Sequence, residues 1–537
     1  MPGMIVAPQP LAVEHGARVL AAGGNAFDAA LTCAAIQFLV DPHSCGVGGY
    51  LVLNHWSPHS SAAPEILDAP ATAGSGVAPD MWSDILIRAN PDGWGYFLKD
   101  KVNEIGYHSI CTPGMVRGMQ AIHERFCSWE FARLLEPAIQ IAENGWSVGH
   151  TMAARWRQSP SFYETASHYE KLQVTPDAQR IYLGADGTAP AAGQELRNPD
   201  YGRTLTRLAE QGPDDFYRGE LAAEMAADLS AHGSSVTAQD LADYAVRREP
   251  ATVTNYRDWT IVTNQAPHGG PTLAAMFNIL EHYELGKLQH NSPEYIYLVS
   301  MAMKAAFADR NRHLADPLFA DVPVEWMISK QRAKEWKAVI DAAEPIDVGR
   351  GGYESPDTTQ VTVVDQHGHC VSLTHSLGSS GGVISPGLGF MYNNSMVNFD
   401  PIPGKPNSIA PGKGRTTGMA PTIVLRDNQP VLVLGAPGAT RIITSVLQVI
   451  LNHLEFGMPI GEAVYVPRFD CQGDLIKCQA RIPEYTCATV RHKHPIERIP
   501  QSHGGLALVH AIAIDPVTGG LSGAADTGAD GMALLVP

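Results

Sequence analysis

The chain has 537 residues, of which 45% are hydrophobic and 17% charged, and its formal net charge at pH 7 is −17. This balance supplies enough apolar side chains for a large buried core, either in several domains or in one large enzyme core. The chain is acidic overall and has no run rich in lysine and arginine, which argues against a nucleic-acid-binding surface. It has no stretch of about 18 uninterrupted apolar residues, so no membrane span is predicted.

The first residues predict no targeting signal, and two helical patterns follow them. Met1–Ala7 lacks the basic and long apolar stretches of a signal peptide, and the 8 cysteines form no Cys-x-x-Cys pair, so we expect a cytoplasmic protein with free thiols. Apolar residues at helical spacing predict a helix over Pro10–Ala22, which ends at a glycine pair. Asn25 is a suitable N-cap for a second, almost wholly apolar and therefore buried helix over Ala26–Val40.

The middle of the chain alternates helical patterns with short loops. Helices are predicted over Leu134–Asn144, Leu221–His232 and Tyr295–Ala308, the last preceded by a capping serine and a proline suited to the first turn. Residues 342–357 are rich in glycine, proline and aspartate, which predicts an exposed linker.

The pattern changes after Thr358, where strands dominate. Val361–Asp365 and Cys370–Ser376 alternate around the turn signal 366–369, which predicts a hairpin. Thr358 and Ser376 would then lie on paired strands, where their hydroxyls can meet. Further strands are predicted over Ile423–Arg426 and Val431–Leu434, and helices over Thr440–Phe456 and Gly461–Val466. Helices layered around antiparallel strands indicate an α+β fold with αββα layers.

Three features of this C-terminal part can serve one reaction. A cut of the backbone between Asp357 and Thr358 would create an N-terminal threonine, which carries a hydroxyl nucleophile and an amine base with a pKa of about 8. The glycine-rich turn 435–441 opens a helix, where backbone N–H groups can bind an oxyanion. Ser376 could orient the Thr358 hydroxyl. The turn could equally be an ordinary tight turn, and the serine a solvent-facing strand residue.

Two other motifs in the sequence do not predict a binding site. His367, His369 and His375 could be metal ligands, but no acidic ligand set with suitable spacing accompanies them, so we expect no metal. Residues 412–417 are faintly similar to a phosphate-binding loop, yet they lack the first glycine and a preceding strand.

Taken together, the motifs carry a family resemblance over nearly the whole chain. The chain resembles the γ-glutamyltransferases, which belong to the N-terminal nucleophile hydrolases. The matching segments, in chain order, are Gly23–Ala30, Gly48–Tyr50, Thr112–Gly114, Ala305–Arg310, Asp357–Thr359, Tyr392–Met396, Met419–Thr422 and Gly435–Gly438.

The resemblance implies a four-layer αββα sandwich with helical elaborations. It implies a precursor that cuts itself between Asp357 and Thr358 into chains 1–357 and 358–537, which stay associated as one intertwined fold. Thr358 then attacks the carbonyl of a small-molecule amide, and water or an amine resolves the acyl-enzyme without any cofactor. The implied supporting residues are Thr359 and Ser376 beside the nucleophile, Gly438 and Ala439 as oxyanion donors, and Asn394, Ser395, Asn398, Thr417 and Gly418 in the substrate pocket.

Several positions depart from the family pattern, and they matter more for the substrate than for the chemistry. The segment Ile66–Pro70 lacks the arginine that holds the glutamyl carboxylate, and Gly418 replaces the second residue of a serine pair. Gly378 and Asn398 replace the asparagine and the acid that contact the α-amine. Losing a bidentate arginine contact costs roughly 1.5–3 kcal/mol of binding. We therefore expect a non-glutamyl or modified acyl group, as in divergent family members similar to cephalosporin acylases and oxamate amidohydrolases.

Three hypotheses follow. The first is an amidohydrolase or acylase acting on a non-glutamyl acyl group, which the missing arginine favours. Arg415 or Arg441 could still reach the pocket in place of that arginine, and Arg415 could equally be a surface charge. The second is true γ-glutamyl hydrolysis or transfer, for instance on glutathione. The third is a relative that never matures and acts without catalysis, against which the intact Asp357–Thr359 stretch argues.

Overall fold

The computed structural model describes residues 2–58, 63–157, 165–354 and 357–537. Within these ranges the strands, in chain order, are β1 Gly3–Ala7, β2 Tyr50–Trp56, β3 Glu65–Ala69, β4 Leu86–Ala89, β5 Tyr96–Leu98, β6 Trp146–Ser147, β7 Glu195–Leu196, β8 Arg247–Pro250, β9 Thr252–Tyr256, β10 Trp259–Thr263, β11 Thr359–Val364, β12 Cys370–Ser376, β13 Thr422–Arg426, β14 Gln429–Gly435, β15 Phe469–Asp470, β16 Ile476–Cys478, β17 Ile496–Arg498, β18 His510–Ile514, β19 Leu521–Ala525 and β20 Met532–Val536.

The α-helices surround these strands. Over the same described ranges they are α1 Pro10–Ala21, α2 Ala26–Val40, α3 Met115–Phe126, α4 Phe131–Asn144, α5 His150–Arg157, α6 His168–Leu172, α7 Pro176–Tyr182, α8 Pro199–Gln211, α9 Asp215–Arg218, α10 Glu220–Ala231, α11 Ala238–Ala242, α12 Gly270–Leu280, α13 Pro293–His313, α14 Val324–Met327, α15 Lys330–Asp341, α16 Arg441–Phe456, α17 Ile460–Tyr465 and α18 Glu484–Val490.

Two large sheets form the centre of the fold. Among the described residues, the first has seven strands in the order β20-β1-β11-β12-β2-β3-β8, and the second has six in the order β19-β18-β14-β13-β10-β9. Strands β11 and β12 occupy the middle of the first sheet and pair antiparallel, with Thr359 opposite His375. Each sheet therefore contains strands from residues 1–357 and strands from residues 358–537, and in the first sheet the two sets alternate, because β1 lies between β20 and β11.

Alternating side chains bind the sheets to each other and to the helices. Met4, Ile423 and Val433, from both sheets, belong to one apolar cluster between them. Ile5, the neighbour of Met4, packs instead with α1 and α2 on the outer face of the first sheet. Helices α12, α13 and α16 cover the outer face of the second sheet. This alternation of facing side chains gives the four layers αββα, as the sequence predicts.

Local signals place α2 directly behind the central strands. The Asn25 side chain accepts hydrogen bonds from the N–H groups of Phe27 and Asp28, and Asp28 accepts the N–H of Asn25, which completes a capping box. Residues 26–39 of this helix are all buried. Gln37, on its inner side, reaches β11 and contacts Thr359.

Predicted elements match the structure in kind and differ at their ends. The helix predicted from Tyr295 to Ala308 extends over Pro293–His313, because Ser292 caps it with a hydrogen bond to the Tyr295 N–H. The strands β1, β8, β9 and β10 were not predicted. No helix among the described residues has the length and apolar character needed to cross a membrane.

The prediction of an exposed linker over residues 342–357 is wrong for its C-terminal part. Residues 341–345 are exposed, but Ile346 and Val348 are buried, and so is Asp357. Ile346 and Val348 pack in the apolar cluster on the outer face of the second sheet, and the Asp357 carboxylate bonds to His168 and Ser379. Residues 355 and 356 of the predicted linker lie outside the described residues.

Candidate active site

Thr358 and Ser376 meet at the end of the central hairpin. The register that pairs Thr359 with His375 brings Thr358 beside Ser376, and their hydroxyl oxygens are 3.1 Å apart. Only 5% of Thr358 and 1% of Ser376 are exposed, so Ser376 is not a solvent-facing strand residue. The expected meeting of the two hydroxyls is therefore present in the uncut chain.

Ser376 also contacts the peptide bond that the sequence marks for cleavage. Its hydroxyl donates to the carbonyl oxygen of Asp357 over 2.8 Å and accepts the N–H of Gly378, also over 2.8 Å. Because Ser376 has one proton to give, the Thr358 hydroxyl is left to donate to the Ser376 oxygen. The arrangement aims a hydroxyl proton at the carbonyl that precedes Thr358.

The Asp357 carboxylate is fixed from several sides. It lies 2.6 Å from Nε2 of His168, accepts the Ser379 hydroxyl at 2.5 Å, and lies 3.6 Å from Nη1 of Arg155. Burial raises the pKa of this carboxyl, but His168, Arg155 and Ser379 together outweigh burial and hold the pKa well below its usual range. The residue before the proposed cut is thus an anchored carboxylate.

Thr359 faces the opposite side of the strand from Thr358. Its hydroxyl accepts a hydrogen bond from Gln37 over 3.0 Å and donates to Gln9 over 3.3 Å. Gln37 also contacts Nε2 of His375, whose pKa burial lowers to about 3. Among the contacts of the described residues, Thr359 thus supports the strand through helix α2, and not the Thr358 hydroxyl directly.

Thr417 ends a buried chain of three polar side chains. Its hydroxyl oxygen lies 2.8 Å from Nδ1 of His268, and Nε2 of the same ring lies 2.9 Å from Oδ2 of Asp68. Asp68, His268 and Thr417 are 0%, 1% and 2% exposed. Asp68 lies in the segment that lacks the family's arginine, and His268 connects this acid to the Thr417 hydroxyl.

Glu354 enters the same region from the segment before the proposed cut. Both of its carboxylate oxygens accept the N–H of Gly418, over 2.9 and 2.7 Å, and Oε1 lies 3.9 Å from Nη1 of Arg415. Arg310 donates to the carbonyl of Thr417 over 3.0 Å. Arg415, which the sequence offered as a candidate pocket cation or a surface charge, is buried; Arg441 instead donates to the carbonyl of Gly505 at a more exposed position.

The glycine-rich turn lies against the Gly418 backbone. Gly438 and Ala439 both have positive φ, at 140° and 58°, in the turn that precedes α16. A Cβ on Gly418 would approach the carbonyl oxygen of Ala439 to 2.4 Å, so only glycine fits there. This contact brings the predicted oxyanion turn next to the Thr417–Gly418 segment.

The remaining predicted pocket residues are buried around the loop that follows β12. Asn394 accepts the N–H of Ser379 over 2.9 Å and donates to the carbonyl of Glu104 over 3.1 Å. Gly378 has φ 77°, and a Cβ there would lie 2.4 Å from Asn394 Oδ1. The Ser395 hydroxyl has no hydrogen-bond partner among the described residues, and Asn398 is buried with its carbonyl bonded to Asn407. No cluster of metal-binding side chains occurs in the described part of the chain.

Sequence reasoning missed His168, His268 and Glu354 as site residues. Each is brought to the site by contacts between residues far apart in the chain, such as the pairing of His168 with Asp357. His268 directly precedes the glycine pair Gly269 and Gly270. Glycines permit a close approach of two backbones, and a polar residue beside them is the signal by which His268 could have been found.

Comparisons with known proteins agree over almost the whole chain. The family model described as Gamma-glutamyltranspeptidase matches residues 12–536. The Acylase ACY 1 proenzyme of Pseudomonas sp. (strain V22) is 34% identical over 99% of this chain and 93% of its own. The Glutathione hydrolase proenzyme of Bacillus subtilis (strain 168) is 29% identical over 99% of this chain and 91% of its own.

Solved structures agree on the architecture. The crystal structure of cephalosporin acylase from Bacillus halodurans superposes with a TM-score of 0.86 over 99% of this chain and 95% of that one, at 24% identity. A likeness at this identity establishes the shared fold.

Proposed function

Because the chain belongs to the γ-glutamyltranspeptidase family of hydrolases, we propose that it is a self-processing amide hydrolase or acyltransferase whose nucleophile is Thr358. The observation that carries this proposal is the contact of Ser376 with both Thr358 and the Asp357 carbonyl. The relatives' names, which describe proenzymes, support a protein that matures by a cut.

In the proposed cut, the Thr358 hydroxyl oxygen attacks the carbonyl carbon of Asp357. The C–O bond forms, the C–N bond breaks, and the hydroxyl proton ends on the released nitrogen, which leaves an ester and a free amine on Thr358. Water then hydrolyses the ester, which leaves a backbone carboxylate at the new C-terminus, Asp357, and restores the Thr358 hydroxyl. Ser376 stabilises the negative charge that develops on the Asp357 oxygen, because it already donates to that atom over 2.8 Å.

In turnover, the amine of Thr358 accepts the proton of its own hydroxyl as the hydroxyl attacks a substrate amide. The amine's pKa of about 8 suits a base near neutral pH. The acyl group moves to Thr358, the leaving amine takes the proton, and water or a second amine releases the acyl group. The Gly438 and Ala439 N–H groups are the proposed oxyanion donors, supported by the turn's position against Gly418.

We propose an acyl group other than unmodified γ-glutamyl. Asn398 and Gly378 offer no carboxylate for an α-ammonium, and the family's arginine is absent from the Asp68 segment. The acylase relative supports this choice. The alternative is γ-glutamyl hydrolysis or transfer, which the relative named as a glutathione hydrolase favours.

Mass spectrometry of the denatured protein, with N-terminal sequencing, tests the proposal. We expect two pieces, the smaller beginning at Thr358 with a free amine, and one uncut chain for the Thr358→Ala variant. Turnover of γ-glutamyl-p-nitroanilide is then compared with a panel of other acyl p-nitroanilides. A Thr358→Ala protein that is cut and active would refute the role of Thr358, and efficient γ-glutamyl turnover would favour the alternative.

A further inference from the structure

The carboxylate of Glu354 is buried at a place where the pocket offers hydrogen-bond donors. Glu354 lies four residues before Thr358, so chain reach limits their separation to roughly 14 Å. Both carboxylate oxygens share the Gly418 N–H, and the side chain is 9% exposed. A flexible, charged side chain of a loop has been placed inside the protein, beside the proposed acyl pocket.

Two buried arginines near this carboxylate keep N–H donors that bond neither to it nor to any other group within the described ranges. Arg310 gives one N–H to the Thr417 carbonyl, while its Nη1 has no hydrogen-bond partner within the described ranges. Arg415 stacks on the Tyr50 ring at 4.1 Å, and its Nε and Nη2 likewise find no partner there. Burial lowers the pKa of Arg310 to about 10 and that of Arg415 to about 9, so both stay charged at neutral pH.

Glu354 matches these cations poorly. Its nearest guanidinium nitrogen, Nη1 of Arg415, is 3.9 Å away, which exceeds the 2.7–2.9 Å of a charge-assisted hydrogen bond. Burial raises the pKa of Glu354 to about 7, and the Gly418 N–H and Arg310 counteract it only in part. Buried cations with unused donors favour an anion that can come closer than Glu354 does.

We propose that Glu354 occupies, in the uncut chain, a subsite that receives a carboxylate of the acyl group after the cut, with Arg415 and Arg310 as its cations. This inference rests on the proposed function of the same site. Asn398 and Gly378 supply no carboxylate at the two positions where the family resemblance implies contacts to an α-ammonium. The acyl donors that fit are therefore monoamides of simple dicarboxylic acids. Glu354 blocks their binding until its segment leaves Gly418.

Ligand binding to uncut protein tests the subsite without requiring catalysis. Isothermal titration with succinate, glutarate and adipate is performed on the Thr358→Ala protein and on the same protein carrying Glu354→Ala. The matched control carries Glu344→Ala, which removes an exposed glutamate of the same segment. We expect at least one dicarboxylate to bind the Glu354→Ala protein at least about tenfold more tightly than the control, and glutaramide, the neutral analogue, not to gain.

Variants of Arg415 identify the cation. In the Thr358→Ala, Glu354→Ala background, Arg415→Met is expected to weaken dicarboxylate binding at least about tenfold, and Arg415→Lys, which keeps the charge and protects the fold, to weaken it less. Equal affinity of the Glu354→Ala and Glu344→Ala proteins would overturn the inference, as would unchanged binding after both Arg415 substitutions.

The proposed function and this inference fail in different ways. If no cut at Thr358 is found, the proposed function falls, while tighter dicarboxylate binding still supports the subsite. If the cut and turnover are found but removing Glu354 changes no affinity, only the subsite falls. In an active preparation, glutaryl-p-nitroanilide is expected to exceed pentanoyl-p-nitroanilide in kcat/KM, and Arg415→Lys to reduce that preference.

Discussion

Replacing Ser376 by alanine is expected to slow the self-cleavage without preventing the fold. The substitution removes the donor to the Asp357 carbonyl and the acceptor of the Thr358 hydroxyl. Loss of one such donor to a developing oxyanion costs about 3 kcal/mol, so the cut should slow roughly a hundredfold or more. The buried Gly378 N–H and Asp357 carbonyl also lose a partner, which lowers stability by about 1–3 kcal/mol for each group.

The assay is a time course of the uncut chain after cell-free synthesis, read on denaturing gels and by mass spectrometry. Ser372→Ala is the matched control, because Ser372 lies on the same strand, equally buried, with its hydroxyl donated to the Leu434 carbonyl over 2.8 Å. It should lose comparable stability and keep a nearly normal cutting rate. Cleavage of Ser376→Ala at the unmodified rate, or equal slowing in both variants, would refute the reasoning.

Two further predictions concern the pocket. The pKa of Glu354 rises on folding from 4.5 to about 7, so its contribution to the stability of the uncut Thr358→Ala chain is full below pH 4.5 and is lost as the pH rises through 7. Denaturant titrations compare the Thr358→Ala chain with the same chain carrying Glu354→Gln. The difference between their unfolding free energies should change by about 3 kcal/mol between pH 4.5 and 8, and a difference that stays constant would contradict this prediction. Thr417→Val, which removes the hydroxyl that His268 orients, should raise KM about tenfold with little change in kcat, while Thr417→Ser stays close to normal. Steady-state kinetics that find an unchanged KM for Thr417→Val would exclude a substrate contact.

The parts of the fold that were predictable carry their signals locally. The capping box at Asn25 and the apolar run behind it specify α2 without help from distant residues. Alternation around residues 366–369 specifies the central hairpin, and the period of two then places Ser376 beside Thr358. The strand β1, in contrast, has only five residues, all buried, and a short apolar run of this kind does not distinguish strand from helix.

The unpredicted parts of the site depend on distant contacts. Composition predicts that residues 342–357 are exposed, but it carries no information about the hydrogen bond that the Gly418 N–H donates to Glu354. His268 acquires its role only because Asp68 and Thr417, about 200 and 149 positions away, lie on either side of its ring. The family resemblance implies that Thr359 supports the nucleophile, although adjacent strand residues face opposite layers.

The place of β11 in the middle of the first sheet has a consequence for assembly. β1 and β12 flank it, and β1 belongs to residues 1–357 while β12 belongs to residues 358–537. The uncut chain can form this arrangement in a unimolecular reaction at any concentration. After a cut at Thr358, the same arrangement could be regained from the unfolded state only by an encounter of two separate chains. The mature protein would then persist because it unfolds slowly, and folding would have to precede the cut for the fold to be reached efficiently.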